Sequence, residues 1–140
     1  MRPEGQFVQS SSTGSPPATI LVVDDDALIT LNTVDLVTEL GHVALEAYSA
    51  AEALRLIEAH PEIALLITDF SMPGMNGAEL AEAARRLRPN LPILLATGYA
   101  ELPENAPCDL MRLEKPFHED ELARCIVELL ELLADEAESD

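Results

Sequence analysis

The chain has 140 residues, enough for one domain with short tails, and 48% of them are hydrophobic, which excludes wholesale disorder. With 26 acidic and 8 basic residues its formal charge is −18, which repels phosphate backbones and excludes direct nucleic-acid binding through a basic patch, while favouring divalent cations and basic partner surfaces. Two cysteines, Cys108 and Cys125, with no CxxC and no apolar run of membrane-spanning length, exclude a disulfide framework, a thiolate zinc site and a membrane span, and fit a reducing cytoplasm.

Residues 1–18 are rich in Ser, Pro, Gly and Gln and lack an apolar signal core, so they read as a disordered leader or linker. Thr19 to Val23 is a short β-branched run, suited to a strand buried on both faces. A helix is predicted from Ala27 to Leu40, with Ile29, Leu36, Val37 and Leu40 as its apolar stripe and Gly41 as its stop. His42 to Ala47 is a weaker second strand. Ser49 caps a helix from Ala50 to His60, which Pro61 closes. Ala64 to Thr68 is a third strand, and SMPGMNG is a loop by its Pro and Gly content. Asn76 or Gly77 opens a helix that runs to about Arg88. Leu91 to Ala96 is a fourth strand, and Pro103 and Pro107 keep the following helix short. Leu110 to Leu113 makes a fifth strand. Glu119 to Leu133 is the last helix, with Leu122, Ile126, Leu129 and Leu133 in one stripe, and residues 135–140 are an acidic tail. Five strands alternating with five helices predict an α/β fold over 19–134: a doubly wound, five-stranded parallel sheet with ligands at the carboxyl ends of its strands.

Those ends carry Asp24, Asp25 and Asp26 after the first strand, Asp69 after the third, Thr97 after the fourth and Lys115 after the fifth. Carboxylates brought together repel, and a hard divalent cation such as Mg²⁺ relieves that repulsion through oxygen ligation. One carboxylate can also attack phosphorus, with Lys115 supplying a cation and Thr97 a hydroxyl to the transferring group. Asp26 is instead placed to cap the first helix. A cis peptide at Pro116 would aim Lys115 inward. His42, His60 and His118 have no partner at ligand spacing.

ILVVDDD, LLITDFSMPGMNG, LLATGYAE and EKPF, in this order and spacing, resemble the receiver domain of two-component response regulators over about residues 18 to 134. The resemblance implies a flavodoxin-like fold and a phosphoacceptor switch. Asp69 is then the phosphoacceptor, Asp24, Asp25 and the Ser71 carbonyl hold Mg²⁺ with it, Thr97 is the switch hydroxyl, and Lys115 pairs with the phosphoryl group. It also implies a phosphohistidine donor on a sensor histidine kinase or a histidine phosphotransfer protein. Two features depart from the usual pattern. Arg112 stands where receivers commonly keep Tyr or Phe, so Tyr99 is expected to carry the switch signal instead. LLATGYAE fits in part a single-domain subgroup named for its FATGUY-like motif, and also looks like receivers fused to hybrid kinases. Output then goes through a partner or another part of a longer chain, or the domain drains phosphate from a kinase. The resemblance implies self-phosphorylation and self-dephosphorylation rather than turnover of an external substrate.

Two other readings stand beside this one. D-x-D in VVDDDALIT is similar to haloacid-dehalogenase-type phosphatases, with Asp24 as nucleophile and Asp26 as general acid, although the second acidic pair such enzymes use is absent. The other is an interaction module that works without phosphorylation. Val127, Leu130 and Leu132 extend the apolar surface of the last helix, so a weak homodimer or a kinase contact is expected there.

Overall fold

The computed structural model describes residues 17–98, 110–115 and 117–138, with side chains up to residue 131. Five strands form one parallel sheet: β1 (Thr19–Val23), β2 (Val43–Ala47), β3 (Ile63–Asp69), β4 (Ile93–Thr97) and β5 (Met111–Glu114), in the order β2-β1-β3-β4-β5. The helices are α1 (Ala27–Glu39), α2 (Ala50–Ala59), α3 (Gly77–Leu87) and α4 (Glu119–Glu138). The short helix expected between β4 and β5 lies outside the described residues.

The sheet is buried on both faces, as its continuous apolar strands require. Leu21, Val23, Leu66, Ile93 and Leu95 pack with Ile57 of α2 and with Leu80, Ala81 and Ala84 of α3. Ile20, Val22, Leu65, Ile67 and Leu94 on the other face pack with Val37 of α1 and with Leu122, Ile126 and Leu129 of α4. Chain order reverses direction between β1 and β3, which opens a crevice at their carboxyl ends.

Local chemistry sets the helix ends. Asp26 accepts hydrogen bonds from the Leu28 and Ile29 amides, so it caps α1 as expected. Gly41, at φ +97°, ends α1: its amide donates to the Thr38 carbonyl and the His42 amide to the Val37 carbonyl, the double bond of a Schellman turn. Ser49 caps α2 through the Glu52 amide. Asn76 caps α3 in a reciprocal box with Glu79.

Three expectations need correction. The buried face of α1 is Thr30, Thr33 and Val37, whereas Ile29 is exposed, because the threonine hydroxyls lower the apparent hydrophobicity of the face that packs. The last helix continues past Leu133 to Glu138, since Ala, Glu and Asp without Gly or Pro give it no stop. Leu130 packs against the core rather than extending an outer face, and Val127 is half-buried, so the association surface expected on α4 is narrower; the Leu132 side chain lies outside the described ones. Strand limits move by one or two residues.

At the start of α3, Gly77 lies against the end of β3 and its amide donates to the Phe70 carbonyl at 2.8 Å. A methyl group there would meet the Asp69 carbonyl oxygen at 2.4 Å, Leu95 Cδ1 at 2.7 Å and Phe70 Cα at 2.9 Å. Two of these atoms are backbone and cannot swing aside. Gly77→Ala is therefore expected to destabilise the domain by about 2–3 kcal/mol, at the upper end for overpacking, as read by urea denaturation. Unchanged stability would show that the α3 junction is looser than this geometry.

Candidate functional site

The sheet register builds the site. Val23 of β1 lies opposite Thr68 of β3, so the next residues, Asp24 and Asp69, leave the sheet side by side. Both are buried, while Asp25 is exposed. Carboxylate oxygens of Asp24, Asp25 and Asp69 all lie within 4.8 Å of one another, the one such group among the described residues. Asp69 pairs with Ala96, so Thr97 follows at the end of β4, buried. Thr97 pairs in turn with Glu114, and the Lys115 amide donates to the Thr97 carbonyl at 2.7 Å. From there the Lys115 ammonium donates to Asp69 Oδ1 at 2.5 Å and to Asp24 Oδ2 at 3.4 Å.

The acidic turn is held from several sides. The Asp24 amide donates to the Ala47 carbonyl, and Asp24 Oδ1 accepts from the Asp26 amide at 2.9 Å. The Asp26 carboxylate faces the α1 amides instead of the cluster, so it is not beside Asp24 as a general acid. This removes the geometric basis of the dehalogenase-type reading. Two contributors were not singled out from the sequence: Gly77, packed against the Asp69 carbonyl, and Thr30, whose buried hydroxyl donates to the Asp24 and Asp26 carbonyls. A threonine on the inner face of α1, where the stripe rule expects an aliphatic residue, is the signal for the second.

The other candidates distribute as follows. Ser71 is exposed in the loop that leaves β3. Arg112 is exposed on β5, opposite Leu95. Tyr99 and Pro116 lie outside the described residues. His60 pairs with Glu62, and His42 Nδ1 accepts from the Ala18 amide, so both are engaged elsewhere.

Three hard oxygen donors with one ammonium suit a small divalent cation. Partial burial draws the Lys115 pKa down, but the hydrogen bond and charge of Asp69, and then the charge of Asp24, outweigh it and hold the amine above its ordinary value.

The response regulator receiver domain family model matches residues 20–127. The response regulator receiver protein CpdR of Brucella abortus is 34% identical over 115 residues, spanning 79% of this chain and 95% of that protein. Sensor kinase CckA of the same organism is 32% identical over 129 residues, which cover 89% of this chain but only 14% of the kinase. Among solved structures, a CheY-like receiver domain protein from Methanospirillum hungatei superposes with TM-score 0.76 at 33% identity, covering 86% of this chain and 99% of that one. A response regulator receiver protein from Sinorhizobium medicae does so with TM-score 0.76 at 30% identity, covering 84% and 97%.

Lys115 offsets repulsion among the carboxylates, so its removal has a signed consequence. Lys115→Met is expected to cost about 1–2 kcal/mol at pH 7, below the cost of breaking a fully buried pair because the amine is partly exposed. An amine whose folded pKa is raised contributes fully below its unfolded value of 10.5 and loses that contribution as pH rises through the folded value. The gap between wild type and Lys115→Met in urea denaturation should therefore close above about pH 10.5. A gap that is constant with pH would assign the cost to packing.

Proposed function

The chain belongs to the response regulator receiver domain family, which carries phosphoacceptor signalling in bacterial two-component systems, and we propose that Asp69 is the residue of this chain that takes the phosphoryl group. The supporting observation is the short contact between Asp69 and Lys115 beside a triad of carboxylates at the sheet's switch point. A carboxylate oxygen of Asp69 attacks the phosphorus of a phosphohistidine. The P–O bond forms as the P–N bond breaks, and the imidazole leaves with the electron pair and takes up a proton. Lys115 follows the transferred group and pairs with its equatorial oxygens, and the Thr97 hydroxyl donates to one of them. Mg²⁺ held by Asp24, Asp25, Asp69 and the Ser71 carbonyl would supply charge neutralisation on the transferring oxygens.

In this reading residues 19–134 are the receiver unit and 1–18 a leader, and the acidic tail from 135 begins within the end of α4, which runs to Glu138. The domain cycles between two states and does not turn over an external substrate. Tyr99 carries the change outward, since Arg112 is a permanent cation that does not suit an apolar slot behind Thr97. The donor is a sensor histidine kinase or a histidine phosphotransfer protein. Support for its place of contact comes from α1, where Leu28 is 78% and Leu31 49% exposed immediately after the acidic turn. An apolar patch beside a phosphoacceptor, in so charged a chain, suits a docking helix pair. Output passes to a protein partner or to the rest of a longer chain, and relatives of both sizes exist.

Asp69→Asn should abolish phosphoryl uptake both from a phosphorylated histidine donor and from acetyl phosphate, with the fold intact by circular dichroism; residual uptake would move the acceptor elsewhere. Leu28→Glu with Leu31→Glu should slow transfer from the protein donor about fivefold or more, the scale of an apolar interface contact, and leave acetyl phosphate uptake unchanged. Equal slowing with both donors would place the defect in the site rather than in docking.

A further inference from the structure

We infer that Thr30 is a positioning residue for the metal and phosphoryl site, acting through the backbone of the acidic turn. This rests on the reading of Asp24, Asp25 and Asp69 as that site. Thr30 is fully buried on α1, and its hydroxyl lies 2.9 Å from the Asp26 carbonyl and 3.0 Å from the Asp24 carbonyl. The first contact is the ordinary bond of a helical threonine to the carbonyl four residues back. The second is not: it leaves the helix and reaches the last peptide before the turn.

That peptide joins Asp24 to Asp25, two of the three clustered carboxylates. Its carbonyl is held by Thr30, the Asp24 amide by Ala47, and the Asp24 side chain by the Asp26 amide. The plane of the 24–25 peptide is thereby set from α1. Without the hydroxyl that anchor is gone, and the turn can rotate the Asp25 carboxylate away from Asp24 and Asp69. Residues that orient ligands from behind are expected to matter to affinity rather than to the fold alone.

The test compares wild type, Thr30→Val, Thr30→Ser and Thr33→Val, the last a buried threonine on the same face whose hydroxyl is not bonded to the turn. Mg²⁺ affinity is read from amide shifts of Asp25 and Asp69, and stability from urea denaturation without Mg²⁺. Thr30→Val should weaken Mg²⁺ about tenfold and slow uptake from acetyl phosphate, Thr30→Ser should restore both, and Thr33→Val should bind as wild type. Should Thr30→Val not fold, Thr30→Ala against Thr30→Ser makes the same contrast, since both lack the methyl and only one lacks the hydroxyl. A folded Thr30→Val with wild-type Mg²⁺ affinity overturns the assignment and leaves the site reading standing. Absence of Mg²⁺ binding by the wild type itself overturns both.

Discussion

Repulsion among three carboxylates is the constraint around which this domain is arranged. The register of β1 on β3 brings Asp24 and Asp69 out of adjacent strands, and Asp25 completes a cluster whose oxygens lie within 4.8 Å. At that separation the like charges repel, most strongly between the two buried carboxylates and less for the exposed, solvent-screened Asp25. Lys115 answers part of the cost, reaching Asp69 and Asp24 from the end of β5. The surroundings keep the cluster from spreading: Gly77 brings α3 against the Asp69 carbonyl, and Asp26, Ala47 and Thr30 hold the acidic turn. A carboxylate cluster that is held rigid in shape favours a cation that neutralises it.

Much of this was legible in the sequence because strands buried on both faces are written as apolar runs, and the polar residues that end or follow β1, β3, β4 and β5 mark the edge of the sheet. Asp24, Asp69, Thr97 and Lys115 could be read that way, and so could the caps at Asp26, Ser49 and Asn76. Distances could not, since Lys115 meets Asp69 only after β4 and β5 have paired. The inner face of α1 was misread for a different reason. Threonine counts as polar in any periodicity, yet the Thr30 hydroxyl is satisfied by nearby carbonyls and the residue buries fully. Ile29, which the periodicity sends inward, faces solvent together with Leu28 and Leu31. The end of α4 is hard to read because an acidic run resembles a tail, although nothing in Ala134 to Glu138 breaks a helix.

The exposed apolar residues of α1 and the buried polar ones are two sides of one arrangement. Turning Thr30 inward braces the acidic turn, and the same helical phase leaves Leu28 and Leu31 outside. One face of α1 thus serves the site while Leu28 and Leu31 remain on its solvent side among Asn32 and Asp35. Sequence relatives span a short receiver protein and a large sensor kinase, so domains similar to this one occur in chains of very different length.

The central claim is that this cluster makes a mixed anhydride on Asp69. Incubation with acetyl phosphate and Mg²⁺, followed by hydroxylamine and peptide mass spectrometry, tests it most directly. One phosphoryl group per chain is expected, formed only with Mg²⁺ and displaced by hydroxylamine to leave a hydroxamate on Asp69. A phosphoryl group on a serine or threonine, stable to hydroxylamine, or no adduct at all, would contradict it.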